Sequence, residues 1–188
     1  MQKDLPSEFR PIKRIIVLIS LPGFTRSFQT TGDDRVAAFV HAYYGLCEHL
    51  LPKHGGDIVK FNGDACLALF DAGNAVGVVA AARDMESGVG ELAKEHAVPV
   101  SIGLNAHLAV VIEGQFGTGG SRRRDIIGRG VNQAFLLGRG AGMRISEPVY
   151  RALPSGARAS WIKHKPPTIY HRNTPDGAYE GTAKTSSA

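Results

Sequence analysis

The sequence predicts an α+β fold of the ferredoxin-like (split βαβ) kind, an antiparallel sheet with helices packed on one face. Three observations carry this. Segments between Arg14 and Leu104 read in the order strand, helix, strand, strand, helix, strand. The two middle strands are separated only by Gly63-Asp64, a dipeptide favoured in tight antiparallel turns. Both helical segments are amphipathic, as helices lying on a sheet must be. At 188 residues the chain holds one domain and would be cramped for two. The expected division is a flexible segment at 1–13, a single domain at 14–172 and a flexible tail at 173–188.

Arg14–Ser20 (RIIVLIS) is a β-branched run that reads as a buried strand, closed by the turn signal Pro22-Gly23. Asp33 and Asp34 sit where a helix start wants acceptors. Val36, Phe39, Val40, Tyr43, Tyr44, Cys47, Leu50 and Leu51 then recur at helical spacing until Pro52 and Gly55-Gly56. Ile58–Asn62 and Ala65–Phe70 are short strands expected to pair antiparallel, and the Ala-rich stretch from Asn74 to about His96 is a second helix. Val100–Leu104 is the next strand, with Leu108–Phe116 as its hairpin partner, followed by a flexible loop at Gly117–Arg123 and a short helix at Val131–Leu137. Ser146 is expected to cap a further short helix in SEPVYRAL, and Trp161–Lys163 and Thr168–His171 read as late edge strands.

Composition narrows the class. Hydrophobic residues at 43% and charged residues at 21% exclude a wholly disordered chain and a coiled-coil rod. The longest apolar run, Ile15–Pro22, falls far short of the roughly 20 residues needed to cross a bilayer, and no signal-peptide pattern opens the chain. A soluble, cytoplasmic protein is expected. Cys47 and Cys66 lie far apart in apolar contexts without CxxC or Cys/His spacing, so they read as core residues rather than a disulfide or zinc site. The net charge of +5 suits a polyanionic partner: a nucleoside triphosphate, a nucleic acid or an acidic lipid surface. Arg122–Arg124 has no interleaved aromatics for base stacking and reads as a solvated face, which argues against nucleic acid.

Familiar nucleotide and hydrolase motifs fail. There is no GxxxxGK[ST] loop, no GxSxG and no HExxH, and the GRGAG cluster at 138–142 does not follow a strand and open a helix as a dinucleotide fingerprint must. Five segments remain, in order: LISLPGFT (18–25), HGGDIVKFNGDACLALF (54–70), SIGLNAHLAVVIEGQFG (101–117), RRRDIIGRGVNQA (122–134) and ISEPVYRAL (145–153). Together they resemble the catalytic domain of class III nucleotidyl cyclases, the adenylate and guanylate cyclases, over about residues 14–172.

That resemblance implies conversion of ATP to cyclic AMP and pyrophosphate, in the service of intracellular signalling. Two carboxylates would hold two Mg²⁺ or Mn²⁺ ions that neutralise the triphosphate and activate the ribose hydroxyl. Asp64 matches one of those carboxylates, and Ser20 stands where the other belongs. Lys60 and Asp125 match the adenine-reading pair, which favours ATP over GTP, and Asn132 matches the residue orienting the ribose. Phe24 and Thr25 fall in the phosphate-approaching turn. Leu136 replaces the arginine that stabilises the transition state, a group worth about three to five powers of ten in phosphoryl transfer. Arg139, seven residues after Asn132, would return to its helical face if the helix reached that far.

The resemblance further implies a site shared between two chains head to tail, hence a homodimer, or a heterodimer with a complete cyclase chain. The expected function is an adenylate cyclase-like domain with weak or lost turnover. A non-catalytic module that binds nucleotide or dimerises, and an active enzyme that uses Arg139, are the alternatives. Each residue also has a plainer reading: Asp64 as a turn residue, Lys60 as an edge-strand charge, Asp125 as an ion-pair member, Asn132 as a helix-start acceptor and Phe24 as a packing anchor.

Overall fold

Strand β1 (Phe9–Ser20) is the axis of the sheet, and its side-chain alternation creates the layers on either side. Ile15, Val17 and Ile19 enter the larger core, while Ile16 enters a smaller cluster on the opposite face. The structure is a computed structural model in which residues 8–164 and 168–172 are described. After β1 come α1 (Phe24–Thr30), α2 (Asp33–Lys53), β2 (Gly56–Asn62), β3 (Ala65–Asp71), α3 (Ala75–Glu95) and β4 (Gly103–Phe116). Then follow β5 (Arg123–Ile127), α4 (Arg129–Leu136), β6 (Gly142–Ser146), α5 (Glu147–Ala152), α6 (Ser155–Arg158), β7 (Ile162–His164) and β8 (Ile169–Arg172).

The sheet runs β2-β3-β1-β4-β6-β8-β7, with β5 paired to the far half of β4. The quartet β2-β3-β1-β4 is antiparallel throughout, which is the ferredoxin-like core expected from the sequence. β6 extends it in parallel to β4. Val36, Phe39, Tyr43, Cys47 and Leu50, spaced three or four apart, bury one stripe of α2. Asp33 and Asp34 occupy its first turn, where carboxylates meet the positive end of the helix dipole. The Asn74 side chain accepts the Gly77 N–H and starts α3, which buries Val78, Val79, Ala82, Met85 and Val89. Each large aliphatic side chain so buried contributes about 1.5–3 kcal/mol. α4 lies on the other face over Ile16, Val111 and Ile126, so close that a Cβ on Gly130 would lie 2.4 Å from that of Ala109.

Cys47 and Cys66 are free and buried; the neighbouring Cys47 sulfur, which favours the protonated form of Cys66, together with burial pushes the Cys66 thiol up and keeps it neutral in the core. Among the described residues no helix is long and apolar enough to cross a membrane.

Several elements depart from the sequence reading. β1 begins at Phe9 rather than Arg14. Residues 9–13 pair with β4 alone, and β3 joins only at Arg14, so Pro11 has an open side where its missing N–H is tolerated. Residues 1–7 and the expected tail at 173–188 lie outside the described residues. Val100–Leu104 and Leu108–Phe116 do not form a hairpin: β4 runs unbroken through Asn105 and His107. The buried Asn105 amide stays in the strand because its Nδ2 donates to the Gly138 carbonyl at 2.9 Å. The true hairpin partner is β5, which starts inside the stretch expected to be a loop and leaves only a 3₁₀ turn at Gly119–Ser121. Strand β6 and helices α1 and α6 were not anticipated from the sequence pattern. Ser146 does sit at the N-cap of α5, yet its side chain makes no capping hydrogen bond.

Candidate active site

The end of β1 assembles the first half of the site. Ser20 closes the strand opposite Gly103 of β4. The β2–β3 turn delivers Asp64 to the same end, where its Oδ2 accepts the Leu21 N–H at 3.3 Å. The structure therefore places Asp64 against the backbone of the residue that follows Ser20, the two positions that the resemblance pairs. Tyr44 of α2 steadies that turn, donating its hydroxyl to the Gly63 carbonyl at 2.8 Å and stacking on Phe61 with ring centroids 3.9 Å apart. Phe24 opens α1, packs partly against the core and meets Phe28 edge-on, while Thr25 is exposed beside it.

A second half lies at the β2–β5 edge. Lys60 Nζ donates to Asp125 Oδ2 at 2.5 Å, and Asp125 Oδ1 accepts the Ile126 N–H at 2.8 Å. Two residues 65 positions apart are thus paired directly. Beside them Arg124 bridges Asp57 and Glu113, and Arg10 reaches Glu113 from β1. Burial pushes the Glu113 carboxyl up, but the Arg124 and Arg10 guanidiniums outweigh it and hold the group below its ordinary range. Arg122 pairs with Glu8, and Arg123 donates to the carbonyls of Gly120 and Arg122. Arg122 and Arg123 stay exposed, in keeping with a solvated face, while Arg124 is drawn into the hairpin by Asp57 and Glu113.

Asn132 and Leu136 lie four apart on α4, both exposed, Leu136 to 66%. Among the described residues no hydrogen bond joins Asn132 to either pair. α4 stops at Leu136 and Gly138 takes φ 144°, so Arg139 falls off the helix and cannot return to the face of Asn132 as a helical neighbour. What sequence reasoning missed is Arg144. Only 1% exposed on β6, its guanidinium donates to the carbonyls of Arg139, Gly140, Ala141 and Gly142 at 2.5–3.4 Å. The GRGAG glycines serve this wrapping: a Cβ on Gly138 would lie 2.7 Å from Arg144 Cδ.

No family model matches the chain. An adenylate cyclase of Anabaena cylindrica is 26% identical over 127 residues, 63% of this chain, and this chain spans a quarter of that relative's length. Among solved structures, the adenylyl cyclase CyaB from P. aeruginosa superposes with a TM-score of 0.75 at 21% identity, covering 91% of this chain and all of that one. The guanylyl cyclase Cya2 gives 0.75 at 20% identity, covering 94% of this chain and all of that one. A class III adenylyl cyclase-like ATP-binding protein from Pseudomonas aeruginosa gives 0.71 at 18%, covering 82% and 37%. This chain has the class III nucleotidyl cyclase catalytic fold. Adenylyl and guanylyl cyclases match it equally well, so the fold alone does not choose the base.

The donor set can be weighed against the two divalent ions such a cyclase site would hold. Among the described residues no group of three or more His, Cys, Asp or Glu side chains gathers to hold a metal ion. At the β1 end Asp64 offers one carboxylate, already accepting a main-chain N–H, and Ser20 offers a neutral hydroxyl. That set does not fit two dications, because hard divalent ions draw most of their affinity from anionic oxygen.

Proposed function

We propose that this chain is an ATP-binding, adenylate cyclase-like domain whose conversion of ATP to cyclic AMP and pyrophosphate is weak or lost. The observation that carries this is the contrast between a formed Lys60–Asp125 pair at 2.5 Å and a β1 end with a single carboxylate. A lysine ammonium has three donors and one is engaged, so Lys60 still offers hydrogen bonds while Asp125 retains acceptor capacity. Together they match an edge that both donates and accepts, as adenine does. Asn132 would orient the ribose, and the turn at Phe24 and Thr25 would approach the phosphates. Turnover is low on this reading because Ser20 contributes no charge and Leu136 none in place of a guanidinium.

The two halves serve one nucleotide when two chains meet head to tail, so a homodimer is expected, and a complete cyclase chain could replace one protomer. Calorimetry with a non-hydrolysable ATP analogue and a cyclic AMP assay with Mg²⁺ and Mn²⁺ test the proposal: binding with little product is expected, and family-typical turnover would refute the loss of activity. A second reading is a dimerising module that binds no nucleotide. The exposed Phe135 and Leu136 on α4 favour it, since apolar side chains suit a protein surface better than a triphosphate. A dissociation constant for ATP far above millimolar would select it.

A further inference from the structure

The loop at 138–142 offers a function that the missing carboxylate leaves open. Four of its carbonyls converge on the buried Arg144 guanidinium, and Asn105 Nδ2 holds a fifth, that of Gly138. The loop is thereby pressed onto the end of the sheet. A Cβ on Gly103 would lie 2.5 Å from the Gly140 carbonyl oxygen and 3.2 Å from Ser20 Oγ, so loop and hydroxyl flank the same bare Cα. With the loop's carbonyls turned inward, the side chain of Arg139, one residue before Gly140, is exposed. The backbone that carries Arg139 is thus anchored one residue from the Gly140 carbonyl that shares Gly103 with Ser20 Oγ, at the end of β1 where the donor set does not fit two dications.

We propose that Arg139 binds the polyphosphate of the nucleotide and takes over the charge neutralisation that a second dication would otherwise supply, with Asn105 and Arg144 as positioning residues. A guanidinium suits this role because its planar fork meets two phosphate oxygens at once and keeps its charge at any working pH. The same charge would repel a cation from Ser20, so the exchange of carboxylate for hydroxyl and the anchored arginine act in one direction. This inference rests on the ATP-binding reading, and inorganic tripolyphosphate separates the two.

The test is calorimetry on the full chain in EDTA and in Mn²⁺, with ATP, adenosine and inorganic tripolyphosphate as probes. In EDTA, ATP should bind within about threefold of its affinity in Mn²⁺, and Arg139→Ala should weaken ATP and tripolyphosphate by at least about tenfold while leaving adenosine unchanged. Arg139→Lys should restore part of the loss. Asn105→Asp, which keeps the shape but loses the donor to Gly138, should shift ATP affinity in the same direction without altering adenosine; melting curves of each variant confirm folding. Binding of ATP only with Mn²⁺, or an Arg139→Ala protein equal to the wild type in EDTA, overturns this inference and leaves the ATP-binding reading standing. Arg139-dependent binding of tripolyphosphate without binding of ATP supports the phosphate site and refutes the base-reading pair. Failure of both probes in both buffers refutes both.

Discussion

The two halves of the candidate site differ in how their charges are arranged. At the β2–β5 edge each cation faces an anion: Lys60 with Asp125, Arg124 with Asp57 and Glu113, Arg10 with Glu113. At the β1 end there is one carboxylate, one hydroxyl and a wrapped loop whose buried guanidinium is met by main-chain carbonyls. The first arrangement holds a donor and an acceptor side by side, which the proposed function assigns to a base. The second lacks the negative charge that would draw two dications. On the proposed reading, binding and turnover rest on separate side chains, and one can decline while the other persists.

The largest expected effect comes from supplying the two charges that the resemblance expects at positions 20 and 136. Ser20→Asp combined with Leu136→Arg should raise cyclic AMP formation by about 10³-fold in Mn²⁺, near the lower end of what a transition-state arginine alone supplies. A folded double variant with unchanged rate would show that the deficit lies elsewhere than at these two positions. Next in size is the wrapped loop. Arg144→Met removes the partner of four carbonyls and should cost on the order of 3 kcal/mol, a fall in Tm of about 6–12 °C by thermal melting. Lys60→Met sharpens the contrast from the other side. Its pair is half-exposed, so stability should move by less than about 1 kcal/mol, while ATP affinity should fall about tenfold by calorimetry. Equal stability losses at Arg144 and Lys60 would erase the distinction between a structural guanidinium and a ligand-facing ammonium.

Local pattern made part of this legible. The period of α2 and α3 and the Gly63-Asp64 turn lie within single segments, where periodicity and turn chemistry decide the outcome, whereas the roles of Lys60 and Asp64 come only from the family resemblance. Three of the failures share one cause, polar residues satisfied by distant partners. Asn105 and His107 read as a break, but Asn105 finds the Gly138 carbonyl and β4 continues. Arg123 reads as loop and Arg124 as part of a solvated charge run, although Arg124 of β5 crosses to Asp57 of β2. Arg144 sits mid-strand in GMRIS, five residues with no period, and only the folded loop reveals why a charge belongs there. Arg139 would continue a helical face only if the helix passed Gly138, and three glycines in five residues stop it there, with positive φ at Gly138, Gly140 and Gly142.

The smallest effect probes the charge-balanced edge by pH. Glu113 is 6% exposed and held below its ordinary range in spite of burial, because two guanidiniums favour its ionised form. Its folded pKa lies under its unfolded value of about 4.3, so the unfolded state takes up the proton first as pH falls. The stability this carboxylate contributes is therefore present above about pH 4.3 and is lost as the pH drops through the folded value. Glu113→Gln should cost about 1 kcal/mol at pH 7, where Arg10 and Arg124 lose an anionic acceptor, and the gap to the wild type should narrow from pH 4 to pH 3 in denaturant titrations. Parallel stability curves across that window would mean that Glu113 is not held ionised by its arginines. The charge balance of this edge would then rest on Lys60–Asp125 and Arg124–Asp57 alone, and the edge would differ less from the β1 end than its geometry implies.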